Sequence, residues 1–261
     1  MTAACHVRPN SLFRDSFAPK CEDPASDAVR LAPLHDDLSG VRSSISLITS
    51  VVDSQTAGER GRLMGKVLAG ITVSVDGYIT GPNDGPGCGL GVGGERLHYW
   101  VFGGPWGYDS AHRGEPTGED KVWLEETLGA NGAVVAGRGT YEAAGHWGDK
   151  NPWGIPFFVV THRPEEQPPG DDFIFVGSLE VAIERAGAAA GDKNAHVMGG
   201  AQIIRQALAG GLVDELTIII APVVLGAGKR LFDGFSETLE LEHLGVRQSS
   251  FATFIDYRVK K

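Results

Sequence analysis

The sequence predicts an α/β domain whose central sheet is mostly parallel and ends in antiparallel strands. Three observations support this fold class. Short apolar runs of β-forming residues alternate with segments of helical periodicity beyond residue 64, as in sheets whose parallel strands are joined by helices. Glycines stand at two of the junctions where a strand gives way to a helix. The last two runs, Leu239–Arg247 and Phe251–Val259, alternate in hydrophobicity as a closing antiparallel pair does.

The individual elements follow from the spacing of apolar residues and from turn residues. Runs rich in Val, Ile and Phe predict strands, whereas apolar residues three and four positions apart predict helices. In the first half of the domain, the predicted elements are a strand over Lys66–Ser74 with a turn at Asp76-Gly77, a glycine-rich loop over Gly81–Gly94, a helix from Thr117, a strand over Ala133–Ala136, a helix over Arg138–Ala144 and a strand over Pro156–Thr161. In the second half, they are a helix capped by Ser178 and ending at Ala190, a strand over His196–Met198, a helix after Gly199-Gly200, a strand over Leu216–Val224 and the closing pair.

Residues 1–63 differ in character from the rest and are predicted to be a disordered extension. They contain no Trp and no Tyr, whereas all five Trp and all five Tyr lie beyond Met64. The stretch is rich in Ser, Asp, Ala and Pro, and such a composition buries too little apolar surface to order a chain. Alternatively, translation starts at Met64, since the sequence opens there directly on a strand. Either interpretation leaves residues 64–261 as one domain.

Composition excludes several classes of function. The formal net charge is −10, and a chain this acidic is a poor partner for nucleic acid, which needs a basic surface. No apolar run approaches the roughly 18 residues of a membrane span. The eight histidines lack ligand spacing such as HxxxH, and Cys5, Cys21 and Cys88 form no CxxC pair, so no metal site is expected. The scattered cysteines argue against a disulfide framework and favour a cytoplasmic location.

The junction at Gly199-Gly200 is the strongest local signal for a binding site. A strand ends there and a helix begins, and a helix N-terminus presents unpaired N–H groups with the positive end of the macrodipole. Two glycines allow a phosphate to approach the backbone closely. A tight turn without a ligand is the alternative. By contrast, the GxGxxG match over Gly89–Gly94 follows no strand directly and is interpreted as a mobile loop.

Two further strand ends carry residues suited to phosphate. At the first, Gly137 permits close approach, Arg138 can pair with phosphate, and Thr140 can cap the helix or contact a phosphate oxygen. At the second, Thr161-His162-Arg163 follows a strand, and its arginine beside Arg138 would suit a 2′-phosphate. The alternatives are a surface arginine with an N-cap and an ordinary strand end. Because ligands of open α/β sheets lie beyond the carboxyl ends of strands, the three sites together favour a nucleotide.

Five motifs in a fixed order carry a family resemblance. They are SVDGYI at 74–79, GRGTY at 137–141, VVTHR at 159–163, VMGGAQ at 197–202 and PVVLGAG at 222–228. Together they resemble the dihydrofolate-reductase-like superfamily, and within it the C-terminal reductase domain of the bacterial bifunctional riboflavin-biosynthesis deaminase-reductase. The resemblance covers nearly all of Met64–Lys261. It implies a three-layer α-β-α fold and NADPH-dependent reduction of a pyrimidine- or pterin-like small molecule.

The resemblance also implies where each part of NADPH would lie. Thr72 and Ile79 would flank the nicotinamide. The other residues would contact the phosphates and the adenosine ribose: Gly137, Arg138 and Thr140 along the phosphates, Thr161, His162 and Arg163 at the ribose and its 2′-phosphate, and Gly199, Gly200, Ala201, Gln202 and Ile203 around the pyrophosphate. Gly199-Gly200 is also the candidate for the family's cis peptide.

The substrate side departs from the classical folate reductases. Their helix carboxylate corresponds to Asp120, which is either a catalytic acid or, three residues after Thr117, a capping carboxylate. Their strand threonine corresponds to Ile219. A substrate that carries ribose phosphate would need basic groups, and Lys229 and Arg230 are candidates.

The resemblance leaves more than one function open. The deaminase motif, H-x-E followed by P-C-x-x-C, does not occur in the sequence. The resemblance therefore implies a 5-amino-6-(5-phosphoribosylamino)uracil reductase-like activity without the deaminase step. The alternatives are a dihydrofolate-reductase-like activity and an NADPH-binding protein without robust catalysis. A homodimer is expected, with Leu216–Val224 and the C-terminal pair contributing to its interface.

Overall fold

The computed structural model describes residues 65–110, 114–236 and 238–261. The extension predicted over residues 1–63 and the alternative start at Met64 lie outside these residues, so both stay predictions. Within the described ranges, no helix is long and apolar enough to cross a membrane.

Ten strands and five α-helices form the described part of the chain. The strands are β1 Val67–Ser74, β2 Tyr78–Thr80, β3 Asn131–Gly137, β4 Phe157–Val160, β5 Ile174–Val176, β6 Asn194–Met198, β7 Glu215–Ala221, β8 Lys229–Arg230, β9 Leu241–Gln248 and β10 Thr253–Val259. The helices are α1 Tyr99–Phe102, α2 Gly118–Ala130, α3 Arg138–Ala143, α4 Leu179–Ala190 and α5 Ala201–Ala209.

The main sheet has eight strands in the order β5-β4-β3-β6-β1-β7-β10-β9. The six strands from β5 to β7 run parallel, whereas β10 is antiparallel to β7 and β9 is antiparallel to β10. The predicted fold class, a mostly parallel sheet with antiparallel C-terminal strands, is therefore confirmed. Strands β2 and β8 form a separate antiparallel pair.

Helices cover both faces of the main sheet, which gives three layers. Neighbouring residues of β3 point to opposite faces, as the two-residue period of a strand requires. Val135 packs into the core beneath α4 and α5, with Ile183 and Ile204. Val134 packs into the opposite core with Tyr141 of α3.

A third cluster of aromatic residues closes the antiparallel end of the sheet. Trp123 of α2 stacks on Phe254 of β10, with ring centroids 4.8 Å apart. Trp100 meets both rings edge-on, each at 5.4 Å. Such aromatic pairs add about 0.5–1.5 kcal/mol each beyond the area they bury. The cluster therefore fixes α1 and α2 against the sheet beside β7.

The structure corrects several details of the predicted elements. The long apolar strand ends at Ala221 and not at Val224, because Pro222 has no N–H group to continue the ladder. This strand, β7, lies between β1 and β10 and so forms no edge of the sheet. It therefore cannot pair with a second chain through its edge, and its expected contribution to a dimer interface stays a prediction. Strands β2, β5 and β8 and helix α1 were not predicted.

The glycine-rich loop before α1 folds back on itself. The Gly81 amide donates to the Leu90 carbonyl at 2.7 Å, and the Val92 amide donates to the Pro82 carbonyl at 2.8 Å. Cys88 in this loop is disulfide-bonded, which the spacing of the cysteines did not lead us to expect. The cysteines therefore no longer support a cytoplasmic location.

Candidate functional site

The carboxyl ends of the parallel strands open into a cleft of about 930 Å³. After β1 the chain crosses to β3, β4 and β5 on one side, and β7 later joins the other side of β1. Connections that leave in opposite directions open a crevice at the strand ends, where ligands of α/β sheets bind. All three strand ends that the sequence singled out contribute residues to this cleft.

Two strand-to-helix junctions, from β3 to α3 and from β6 to α5, pack against each other in the cleft. A Cβ atom built on Gly137 would lie 2.7 Å from Cγ1 of Ile203. Cβ atoms on Gly199 and Gly200 would lie 3.2 and 3.1 Å from the nearest side-chain atoms of Thr140. Both of these glycines also have positive φ, at 58° and 66°. The close approach and the backbone conformation therefore both require glycine here.

Helix α5 begins immediately after Gly200 and directs its first turn at the cleft. Among the described residues no side chain caps its N-terminus, and the first backbone bond of the helix runs from the Ile204 amide to the Gly200 carbonyl at 3.2 Å. The amides of Ala201, Gln202 and Ile203 therefore have no acceptor within the helix. These three residues line the cleft. Free amides beside two glycines form a cradle suited to an anion.

Arg138, the first residue of α3, is held by two carboxylates. Its Nε donates to Oε1 of Glu142 at 2.8 Å, and its Nη2 donates to Oε2 of Glu166 at 2.8 Å. The hydrogen bond to Glu142 is the main cause of a raised pKa for the guanidinium. The third nitrogen, Nη1, is buried without a hydrogen-bond partner among the described residues. The guanidinium also lies over the Phe175 ring, 5.2 Å from its centroid.

Arg163 reaches the same carboxylate from the end of β4. Its Nη1 donates to Oε1 of Glu166 at 2.8 Å, so this glutamate joins the two arginines. The buried Thr161 hydroxyl accepts from the Arg163 amide at 3.1 Å and fixes the turn after the strand. His162 is exposed, and all three residues of this segment line the cleft. The structure thus brings together the two arginines that the sequence proposed for a 2′-phosphate.

The opposite end of the cleft is apolar and aromatic. Thr72 and Ile79 are both buried there and line the cleft, as does Ile219 of β7. The Trp100 Nε1 donates to the Thr72 hydroxyl at 3.1 Å, which orients both side chains. Further aromatic residues line this end of the cleft: Phe102, Trp106, Tyr108 and Trp123.

His196 is a cleft residue whose role the sequence did not indicate. It lies on β6, where the two-residue period places it on the same side as Met198, and both line the cleft. Burial lowers the pKa of His196 to about 4, and that of His98 at the cleft wall also to about 4. Both imidazoles are therefore neutral at pH 7. The Nδ1 of His196 has no hydrogen-bond partner among the described residues.

Asp120 does not act as a helix cap, so the capping interpretation is wrong. Neither Thr117 nor any other side chain caps the N-terminus of α2. Asp120 is instead 2% exposed, and its Oδ1 has no hydrogen-bond partner within the described chain. Burial raises the pKa of its carboxyl, while a hydrogen bond from Ser249 lowers it. Trp123, one helical turn on, lines the cleft, but Asp120 does not.

Asp76 ties the turn after β1 to the loop before β8. Its carboxylate accepts from the Ser74 hydroxyl at 2.6 Å and from the amides of Leu225 and Gly226 at 3.1 and 2.8 Å. The hydrogen bond from Ser74 is the main reason that the pKa of Asp76 falls to about 2. The sequence suggested only a turn at this position.

The two basic residues after this loop lie at the rim of the cleft. Lys229 forms an ion pair with Asp84 at 2.5 Å. The Arg230 guanidinium lies 4.7 Å from the centroid of the Tyr78 ring. Both line the cleft and both are exposed, so they remain candidates for a charged part of a substrate.

Known proteins share this fold. The chain matches the RibD C-terminal domain family over residues 65–253. It is similar to a protein assigned to riboflavin biosynthesis from Shewanella sp. PV-4, with 22% identity, a TM-score of 0.54, and coverage of 75% of this chain and 99% of that one. It is also similar to a diaminohydroxyphosphoribosylaminopyrimidine deaminase/5-amino-6-(5-phosphoribosylamino)uracil reductase from Thermotoga maritima, with 15% identity, a TM-score of 0.50, and coverage of 76% and 57%. No curated protein matches the chain.

The sheet order, the packed junctions and the cleft define an α/β domain with a ligand-sized crevice at the carboxyl ends of its parallel strands. Since the family match extends over most of the chain, the chain belongs to the RibD C-terminal domain family. It is therefore an oxidoreductase of the riboflavin-biosynthesis reductase type, and a nicotinamide cofactor fits that class. The predicted family and enzyme class are confirmed. The match begins at residue 65, next to the boundary predicted at Met64.

Proposed function

We propose that the chain is an NADPH-dependent reductase of a small heterocyclic molecule. The observation that carries this proposal is the Arg138–Glu166–Arg163 cluster beside the amides of α5. Two guanidinium groups and a free helix N-terminus suit a dinucleotide that carries a 2′-phosphate. The buried, unpartnered Nη1 of Arg138 and the closely packed glycines fit the same ligand.

Different residues of the cleft would contact different parts of the cofactor. Gly199, Gly200 and the amides of Ala201–Ile203 would hold the pyrophosphate, with Gly137 and Thr140 beside it. Thr161, His162 and Arg163 would face the adenosine ribose, with Arg138 at its 2′-phosphate. Thr72 and Ile79 would flank the nicotinamide ring, and this ring, when bound, supplies the hydride.

The chain itself supplies position and exclusion of water. The aromatic end of the cleft offers flat apolar surfaces to a pyrimidine or a pterin, and Trp100 and Trp123 are held rigidly by Phe254. Holding two reactants in line accelerates their reaction without an acid or base. Asp120 remains a hypothetical proton source, although it lies off the cleft wall.

The first substrate to test is 5-amino-6-(5-phosphoribosylamino)uracil, the compound in the name of the Thermotoga maritima neighbour. Its ribose phosphate would lie near Lys229 and Arg230 at the rim. Dihydrofolate is the second compound, although Ile219 offers no hydroxyl where folate reductases have a threonine. We further propose a homodimer, and a cytoplasmic location that rests on the family alone, since the Cys88 disulfide removes the support of the cysteines.

The test is NADPH oxidation by the purified chain, followed by absorbance, with each compound in turn. We expect turnover with the ribosylaminouracil phosphate and little or none with dihydrofolate. Turnover with dihydrofolate alone would reassign the substrate. Tight NADPH binding with no turnover on either compound would contradict the reductase and favour a binding protein. An equal rate with NADH would contradict the cofactor assignment.

A further inference from the structure

We propose that Glu166 sets the selectivity of this cleft between cofactors with a 2′-phosphate and cofactors with a 2′-hydroxyl. The inference rests on the proposed function, because it assumes that the adenosine ribose lies at the arginine cluster. Its new element is a carboxylate that competes with the 2′-phosphate for the same two guanidinium groups. Glu166 would thus reduce the preference for NADPH that the arginines create.

Both carboxylate oxygens of Glu166 accept a hydrogen bond from an arginine. Oε2 accepts from Nη2 of Arg138 and Oε1 accepts from Nη1 of Arg163, each at 2.8 Å. A second carboxylate, that of Glu142, accepts a hydrogen bond from the Nε of Arg138 at 2.8 Å. Two positive charges therefore face two negative charges, and the cluster is neutral before any ligand arrives. The last nitrogen of Arg138 is buried.

A 2′-phosphate entering this cluster meets a cost that a 2′-hydroxyl does not. The phosphate brings nearly two negative charges, so it must displace Glu166 from the arginines or lie beside its carboxylate. A ribose 2′-hydroxyl, in contrast, can donate a hydrogen bond to that carboxylate, as acidic residues do in NAD-binding α/β domains. Since the side chain of Glu166 is 40% exposed, water and salt weaken the repulsion, and the effect is moderate.

The segment that carries Glu166 suits such a role. Pro164–Glu166 forms a single 3-10 turn directly after the Thr161-His162-Arg163 strand end. The Glu166 amide donates to the Arg163 carbonyl at 3.1 Å, which places its side chain over the strand end. Glu165, the preceding residue, is also exposed but forms no ion pair within the described chain, so it is a matched control.

The test is isothermal titration of the purified full-length protein with adenosine 2′,5′-bisphosphate and with 5′-AMP, which differ only in the 2′-phosphate. NADPH and NADH form a second pair. In Glu166→Gln, we expect the Kd of each 2′-phosphorylated ligand to fall by about threefold to tenfold, as for removal of a partly exposed repulsive charge. The Kd of 5′-AMP and NADH should stay the same or rise. Glu165→Gln should change neither pair.

Three results would overturn the inference. Weaker binding of the 2′-phosphorylated ligands by Glu166→Gln would mean that Glu166 positions the arginines for phosphate. An equal change for both members of a pair would mean that it does not read the 2′ position. An identical shift in Glu165→Gln would indicate a general charge effect. Glu166→Ala repeats the comparison if the glutamine variant has a lowered Tm.

The wild-type titrations separate this inference from the proposed function. Wild-type protein that binds none of the four ligands would refute the proposed function, and the inference with it. Wild-type protein that binds NADPH, with Kd ratios unchanged in Glu166→Gln, would refute the inference alone. Raising the salt concentration should shrink the difference between wild type and Glu166→Gln.

Discussion

The proposed NADPH site depends most on the Arg138 guanidinium. Its Nε donates to Glu142, and the ring of Phe175 supports its flat face. The side chain is thus already fixed in the described structure, and a fixed group loses less side-chain entropy when a ligand binds. Its position at the end of β3 follows from Gly137, which alone allows Ile203 to pack so closely.

Replacing Arg138 by alanine should weaken NADPH binding more than NADH binding. A hydrogen bond to a charged group contributes about 1.5–3 kcal/mol, so we expect roughly a tenfold or greater rise in the NADPH Kd. The affinity for NADH should fall less, because NADH has no 2′-phosphate for the arginine to bind. Titration of both cofactors checks this, with Arg258→Ala as a control on the antiparallel end of the sheet. An equal loss of affinity for both cofactors would contradict the placement of Arg138 at the 2′-phosphate.

Replacing Asp120 by asparagine should stabilise the fold at neutral pH. The folded-state pKa of Asp120 is raised above its ordinary 3.8, so its contribution to stability falls as pH rises through that folded-state pKa. Removing a carboxyl whose ionisation is disfavoured by burial should raise Tm at pH 7 by about 2–4 °C, the shift that roughly 1 kcal/mol produces in a domain of this size. At about pH 3, where the aspartate is protonated, the gain should vanish.

Thermal unfolding at both pH values measures this effect, with the exposed Asp109→Asn as control. A lower Tm for Asp120→Asn at pH 7 would contradict the account. Turnover of the same variant then decides its role. A catalytic acid predicts slower turnover, whereas a structural carboxyl predicts an unchanged rate per folded molecule.

The sequence predicted those cleft residues that a local pattern marks, namely their position just after a strand. Arg138 and Gly199 directly follow a strand and Thr140 lies two residues beyond Arg138, so their place at the carboxyl edge could be predicted. Glu166 could not, since its contact depends on how a turn folds over a neighbouring strand end. Only the capping alternative for Asp120 failed, because its spacing from Thr117 fits a cap while tertiary packing buries its side chain.

At the scale of elements, the turn after β1 and the loop before β8 are one unit. Asp76 accepts three hydrogen bonds across it, and Gly228 approaches the Thr80 carbonyl so closely that a Cβ atom would lie 1.9 Å from its oxygen. This unit places β2 and β8, with Lys229 and Arg230, at the rim of the cleft.

Replacing Asp76 by asparagine should change how stability depends on pH. The pKa of Asp76 is lowered from 3.8 to about 2, so its carboxylate stabilises the fold above about pH 4 and loses this effect as pH falls towards 2. The variant should be less stable than wild type at pH 7, and this difference should shrink towards pH 2. Urea unfolding between these values measures it. A difference that stays constant with pH would contradict the assignment, and Asp171→Asn is the control.

Strands β2 and β8 have three and two residues, too short to show any period. Their pairing joins segments far apart in sequence and depends on the Asp76 contacts, so no local pattern could predict it. Helix α4 is the opposite case. Its apolar stripe and its Ser178 cap, which accepts from the Val181 amide, were both predicted and are confirmed.

At the scale of the whole molecule, β9 is the exposed edge of the antiparallel end. Leu241, Leu244 and Val246 of this strand are 39, 39 and 53% exposed, and an apolar edge strand favours pairing with another chain. Because β7 is internal, we place the proposed homodimer interface at β9.

Replacing Val246 by aspartate should shift the protein from dimer to monomer. Each chain has a mass of 27.6 kDa, so light scattering after gel filtration should give about twice that value for wild type and about that value for the variant. Val224→Asp changes an equally apolar, 70% exposed residue outside β9 and should remain dimeric. A monomeric wild-type protein would contradict the proposal.

The overall fold was predictable because several independent patterns agree. Crossover helices between buried strands demand a parallel sheet, and the last two alternating runs demand a hairpin. The order of the strands depends on which of them pair edge to edge in the folded molecule. The pattern of apolar residues along the chain does not specify that pairing. The same holds for the substrate end, whose aromatic wall gathers residues from α1, α2 and the loop between them.

A crystal structure of the protein with NADPH tests the central claim most directly. The account predicts the pyrophosphate at Gly199-Gly200 and the first turn of α5, and the 2′-phosphate beside Arg138 and Arg163. It also predicts that the Glu166 carboxylate is displaced from at least one arginine. NADPH bound elsewhere, or bound with its adenosine ribose away from the two arginines, would contradict the account.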